Sequence, residues 1–282
     1  MSNPYLITGP ALISFSGGRT SAYMLKNILD AHDGVLPDDV HVCFANTGKE
    51  REETLRFVHE CATNWNVRVQ WIEWASRLKS VPINERFVEV GYNSASRNGE
   101  PFEALIKSKG ITPNGLMRFC TEELKVAAIE NFMLSLGYTT WNNVIGLRVD
   151  EMHRVFKQYD KNTDSKRRWQ TIMPMVKAKA RHEDVMQFWA ENSFDLQLKP
   201  YEGNCDLCFL KGGKILKRII RDNPESAIWW DKIEKTIGKG SFSKERTYAG
   251  MVNEVAASPL LPLEDGDDDE FDAECGLWCT GE

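Results

Sequence analysis

Apolar and polar positions along this chain follow two rhythms, and the changes between them fall at turn signals. Residues 11–15 (ALISF) form a short apolar run, and beyond a Ser-Gly-Gly turn Ala22, Leu25, Ile28 and Leu29 recur at helical spacing. A second run, residues 40–46 (VHVCFAN), ends in the turn signal Asn46-Thr47-Gly48. Residues 50–64 then bring Leu55, Val58, Cys61 and Ala62 to one helical side, with Glu50, Glu52 and Glu53 in a first turn where acids suit the helix dipole. Residues 67–74 (VRVQWIEW) alternate as a third strand would. Strands and helices alternating at these lengths predict parallel βαβ units. The expected fold is therefore α/β, an open and mostly parallel sheet with helices on both faces.

The pattern weakens over residues 76–119, where Asn, Ser, Gly and Pro are scattered, and an irregular excursion covering the site is expected there. It resumes with a helix over 121–136 (Leu124, Ala127, Ala128 and Phe132 inward) and a strand over 141–146 (WNNVIG). Helices are expected again at 182–192, 214–222 and 226–237. The chain thus divides into an α/β domain over residues 1–200, a helical part over 201–258 and a mobile acidic tail over 259–282.

Composition adds limits. The 282 residues are 42% hydrophobic, enough for one large core. No run approaches about 18 uninterrupted apolar residues, and no basic region precedes an apolar core at the start, so neither a membrane span nor a secretory signal is expected. A cytoplasmic location follows as the expectation. The net charge of −6 is an uneven average. Residues 264–274 hold eight acids and no base, which leaves the remainder at +2, and residues 148–181 hold ten Lys/Arg against four Asp/Glu. That basic run reads either as a solvated loop or as a surface part of which faces an anionic ligand.

The candidate chemistry gathers behind the strands. Ser16, Gly17, Gly18, Arg19, Thr20 and Ser21 sit between the first strand and the first helix, where glycines let the backbone turn and hydroxyls stand beside unpaired helix N–H groups. Such a corner suits phosphate or sulfate. Asn46, Thr47 and Gly48 follow the second strand, and Arg148, Glu151 and Arg154 follow the strand at 141–146. In an open parallel sheet all three segments come to the carboxyl edge, where ligands bind. Two arginines six residues apart there can clamp anionic oxygens, or serve as surface ion-pair partners.

Seven cysteines without export features argue against a disulfide framework. Cys43 and Cys61 lie in apolar patterns and read as core. Cys205 and Cys208 form a CxxC pair, which is half of a zinc or iron–sulfur site, a redox pair, or an accident of sequence. Cys120, just ahead of a predicted helix, is a third candidate ligand.

These segments together resemble the PP-loop superfamily, and within it the phosphoadenylyl-sulfate and adenylyl-sulfate reductases. SFSGGRTS resembles their phosphate loop, FANTGKEREETLRFV their NTG segment and the helix after it, and GLRVDEMHR their arginine motif. FCTEELKV resembles the segment that carries a cysteine pair ahead of a basic helix, and the 85-residue step from Cys120 to Cys205 is close to the family's. AECGLWC resembles the mobile C-terminal tail whose cysteine is the family's nucleophile. Three positions depart from the pattern. Arg19-Thr20 stands for Lys-Asp, Phe119-Cys120 for two adjacent cysteines, and Cys279 occupies the neighbourhood of a tail histidine. Such departures suit a divergent branch of the kind met in phage and prophage genomes.

The resemblance implies that residues 16–21, with Lys125, Arg148 and Arg154, hold the phosphate and sulfate of an adenylyl sulfate. Cys275 would be the nucleophile and Cys279 a resolving thiol, with thioredoxin or glutaredoxin as the external reductant. It further implies a [4Fe-4S] cluster on Cys120, Cys205 and Cys208, for which zinc is the alternative, with Cys275 or Cys279 as a fourth ligand. A second expectation is an ATP-dependent iron–sulfur sulfurtransferase of the same superfamily acting on nucleic acid. A third is a nucleotide-binding zinc protein without catalysis. A membrane is not among the expected partners, and a homo-oligomer is left open.

Overall fold

The computed structural model describes residues 3–164, 167–237 and 240–258. Six strands form one sheet: β1 (Ala11–Ser14), β2 (Val40–Asn46), β3 (Val69–Trp74), β4 (Phe87–Val90), β5 (Trp141–Val144) and β6 (Trp169–Ile172), in the spatial order β4-β3-β2-β1-β5-β6. All neighbouring pairs are parallel except β3 with β4. The helices are α1 (Arg19–Ala31), α2 (Glu52–Asn64), α3 (Glu100–Lys109), a π-helix (Cys120–Ala127) running into α4 (Ala128–Ser135), α5 (Met152–Lys161), a short α6 (Pro174–Lys177), α7 (His182–Glu191), α8 (Gly213–Asp222), α9 (Ala227–Ile237) and α10 (Tyr248–Ala257).

Two apolar clusters, one on each side of the sheet, show why the strands read as continuous hydrophobic runs. Ala11 and Ile13 of β1, Val42 and Phe44 of β2 and Trp71 of β3 pack with α1, α2 and α7 through Leu25, Ile28, Leu55, Val58 and Trp189. The alternate residues Leu12, Cys43, Ala45, Ile72 and Trp74 face the opposite cluster, with Leu105 of α3, Leu124 of the π-helix, Phe132 of α4, Leu216 of α8, Trp230 of α9 and Tyr248 of α10. Cys43 and Cys61 are buried in these clusters. Burial pushes both thiols up, far from the reactive range. The C-terminal helices thus share one continuous apolar cluster with the sheet.

The excursion expected over 76–119 is more regular than its composition implies. Phe87–Val90 pairs antiparallel with β3 at the sheet edge, and α3 buries Phe102, Leu105 and Ile106 at helical spacing and stops at Gly110 in the left-handed region. The basic run is no loop either. It contains α5, which buries Val155 and Gln158, and the parallel edge strand β6. Charged residues on the outer side of α5 mask a period that only its two buried positions reveal. Helix α10, also outside the expected elements, buries just Tyr248 and Met251. No helix among the described residues is long and apolar enough to cross a membrane.

Candidate functional site

The chain leaves β1 toward β2 and β3 on one side and returns to β5 and β6 on the other, so the strand order reverses between β1 and β5. Beyond the carboxyl ends of such a pair the connections diverge and leave a crevice. The loop 15–18 after β1 and the loop 145–151 after β5 meet there. Arg148 Nη1 donates to Thr20 Oγ1 at 2.9 Å, tying the arginine segment to the first turn of α1. Gly146 permits the approach: a Cβ at that position would lie 3.2 Å from Ser21 Cα.

Inside the first loop, Ser21 Oγ accepts from the Ser16 N–H (3.2 Å) and hydroxyl (2.9 Å) and donates to the Gly18 carbonyl (3.0 Å). Gly17 has a φ of +82°, and a Cβ there would fall 2.7 Å from Thr54 Cγ2 and 3.0 Å from Phe44 Cε2. Its missing side chain thus serves packing against α2 as well as the turn. Gly18 is the N-cap of α1 and, having no side chain, makes no capping hydrogen bond of its own to the helix's first N–H groups. Arg19, expected to face the anion, instead donates from Nε and Nη2 to both carboxylate oxygens of Asp195 at 2.7 and 2.6 Å. Burial opposes the Asp195 charge, but the guanidinium outweighs it and holds the carboxyl below its ordinary range.

The NTG segment is wired inward. Asn46 Nδ2 donates to Glu73 Oε1 (2.6 Å) and the Ser96 carbonyl (2.8 Å), while its Oδ1 accepts from the Gly48 N–H (3.1 Å). The Thr47 N–H and hydroxyl both donate to Glu50 Oε2 at 2.8 Å. Glu50 therefore differs from its expected part as a helix-dipole acid. It lies before the first turn of α2, is 6% exposed, and its Oε1 stands 3.5 Å from Lys125 Nζ and 3.9 Å from Cys205 Sγ.

That contact brings the CxxC segment to the same edge. Glu50 and Cys205 form an antiparallel bridge, flanked by Arg51 N–H to the Asn204 carbonyl (2.7 Å) and Asp206 N–H to the Lys49 carbonyl (3.0 Å). Asn204 Nδ2 reaches on to the Ser16 carbonyl at 2.9 Å. Lys49 pairs with Asp206 at 2.7 Å, and Arg51 with Glu202 at 3.2 Å. Lys211, 2% exposed, donates to the Tyr201 carbonyl. Burial pushes its ammonium down to about 8, against the charges of Cys208, Cys205 and Glu202, while Arg51 adds to the lowering.

In the β5 loop, Arg148 Nε contacts Asp150 at 3.2 Å, the Arg148 N–H donates to Glu151 Oε2 at 2.9 Å, and Arg154 pairs with Glu151 Oε1. The charged side chains buried among the described residues are Lys49, Glu50, Glu73, Lys125, Arg148, Glu151 and Lys211. All seven stand at this edge or on the segments docked against it. Of these, Lys49, Glu50, Glu73 and Lys211 escape sequence reasoning, because a charged residue shows no sign of burial in its own periodicity. The separation of 155 residues between Glu50 and Cys205 likewise hides the pairing of the CxxC turn with residues 49–51.

Cys120 opens the π-helix that carries Lys125, a helix form frequent at functional sites. Among the described residues no group of three or more His, Cys, Asp or Glu side chains is placed to hold a metal ion. Cys120, Cys205 and Cys208 are not closed into a cluster cage there, and Cys205 has a carboxylate neighbour. Cys275 and Cys279 lie outside the described residues.

The structure is an open α/β protein with a polar, charge-dense edge at the reversal of strand order. No family model matches the chain. It is 32% identical over 217 residues to the uncharacterized nin region protein ORF290 of Escherichia phage lambda, across 75% of this chain and 69% of that protein. The chain belongs to the family of that phage protein.

Proposed function

We propose that this protein is a reductase of the phosphoadenylyl-sulfate or adenylyl-sulfate type, with its nucleotide held at the carboxyl edge between β1 and β5. The observation that carries this reading is the Arg148–Thr20 hydrogen bond, because it joins two segments 128 residues apart into one anion-binding wall. The start of α1, with a glycine at its N-cap, lies beside it. The gathering of buried charge at the same edge supports the reading, since ionised groups are buried at such density chiefly where a function requires them.

In this reading the first N–H groups of α1 and Arg148 hold the phosphate and sulfate, while Glu151 and Asp150 fix the guanidinium. Arg154, paired with Glu151, adds charge to the same wall. Lys125 supplies a cation from the π-helix, kept in place by Glu50. The Cys275 thiolate attacks the sulfate sulfur, the bond from sulfur to the bridging phosphate oxygen breaks, and the nucleotide leaves with that electron pair. The enzyme retains an S-sulfonated cysteine. A second thiolate, from Cys279 or from thioredoxin or glutaredoxin, then attacks the Cys275 sulfur, so that sulfite departs with the bonding pair and a disulfide remains. A dithiol reductant restores the enzyme.

Sulfite and pyrophosphate release, followed together with adenylyl sulfate, phosphoadenylyl sulfate and ATP, tests the proposal. Sulfite from a sulfated nucleotide, lost in Cys275→Ser, is the expected outcome. Pyrophosphate from ATP without sulfite would replace this reading with the sulfurtransferase one.

A further inference from the structure

The opposite, amino-terminal edge of the sheet carries a separate feature. Where β5 and β6 begin, an open cavity of about 570 Å³ is lined by Trp141, Trp169, Arg167, Arg168 and neighbouring polar residues. That volume falls in the range of small-molecule sites, on the order of 300–1,000 Å³. The strand between this cavity and the carboxyl edge is four residues long, Trp141–Val144, so the two sites are roughly 13 Å apart along it at about 3.3 Å per residue. A ligand held at one is not the ligand held at the other.

The lining has a particular chemistry. The rings of Trp141 and Trp169 are stacked, with centroids 5.5 Å apart and planes 25° off parallel, and the Arg167 guanidinium lies over the Trp169 ring at 5.6 Å. Trp141 is 5% exposed, yet its indole N–H has no hydrogen-bond partner among the described residues. Cations crowd the rim: Lys161 is lowered by burial and then by Arg167 and Lys157. The opposing charges are Asp164 near Arg167, Glu122 near Lys161, and Glu130, which pairs with Arg168 at 3.2 Å.

We propose that this cavity binds a nucleotide unit, its base taking the place of the Arg167 guanidinium over Trp169 and its phosphate lying against Arg167 and Arg168. An indole offers a planar face to any base, and arginines offer planar forks to phosphate. The inference stands apart from the reading of the carboxyl edge and uses none of its residues. A free mononucleotide and a single-stranded nucleic acid present the same unit.

The full chain is titrated with thymidine monophosphate, a short single-stranded oligothymidylate and inorganic phosphate, following tryptophan fluorescence. Quenching by either thymidylate, weakened roughly tenfold in an Arg167→Gln/Arg168→Gln double variant, is expected. Tighter binding of the oligomer assigns the site to nucleic acid, and equal binding assigns it to the free nucleotide. Trp169→Leu tests the stacking directly, with folding checked by circular dichroism; should it fail to fold, the arginine pair decides. The proposal is overturned if neither thymidylate quenches, if inorganic phosphate binds as tightly as they do, if the double variant binds like the wild type, or if Arg148→Ala removes the signal.

Discussion

At the carboxyl edge of the sheet Glu50, Lys125, Arg148 and Lys211 are buried among carboxylates, thiols and carbonyls, whereas at the amino edge two tryptophans stack beside arginines on an open rim. The two ends of the same strands differ in what their side chains cost. An ionised group taken out of water loses several kcal/mol of hydration unless partners replace it, while a stacked indole gains by being buried. Substitution at the carboxyl edge should therefore disturb stability and binding together. Substitution of the rim arginines at the amino edge should alter binding alone.

The largest effect is expected at Glu50. Glu50→Gln keeps an acceptor for Thr47 but removes a buried carboxylate charge from beside the buried Lys125 ammonium, so urea denaturation should show a loss of about 3 kcal/mol. A loss typical of exposed pairs would mean that the buried network does not set the stability of this edge.

Lys211 sharpens the contrast through pH. Burial lowers its ammonium to about 8, so between that value and the ordinary lysine range near ~10.4 the unfolded chain binds more protons, and folding stability gains from rising pH. Below pH 8 both states are protonated and the full cost, about 3 kcal/mol, is present. Lys211→Met removes that term. Its stability relative to the wild type should be highest near neutral pH and should decline as the pH is raised toward 10, and a difference that stays constant over that range would contradict the account.

The smallest effect is expected at the Arg19–Asp195 pair, whose side chains are 21% and 33% exposed. Asp195→Asn should cost no more than about 1 kcal/mol, since solvent screens such pairs. Calorimetric titration should find the adenylyl-nucleotide affinity of Arg19→Gln within about twofold of the wild type, because the guanidinium fork is already taken up by Asp195. A large loss of affinity would return Arg19 to the ligand.

Much of the fold was legible in the residues. Hydrophobic runs and helical spacing give β1, β2, β3, β5, α1, α2, α7, α8 and α9, because each buries a face that its own sequence displays. Elements with few buried positions were hidden: α10 has two, and β4 and β6 are edge strands of four residues. At the site, the convergence of residues 16–21, 46–48 and 148–154 follows from strand order alone. The turning inward of Asn46 and Thr47, the capture of Arg19 by Asp195 and the docking of residues 204–206 on 49–51 depend on contacts between distant segments, for which a local pattern carries no signal.

The central claim is that Arg148 and the start of α1 form one anion-binding wall, and calorimetric titration of adenylyl sulfate into the wild type and Arg148→Ala tests it most directly. The account predicts binding by the wild type and a loss of about 2–3 kcal/mol of binding free energy in the variant, with phosphate as a partial competitor. Absence of adenylyl-sulfate binding, or equal affinity in the two proteins, would contradict it.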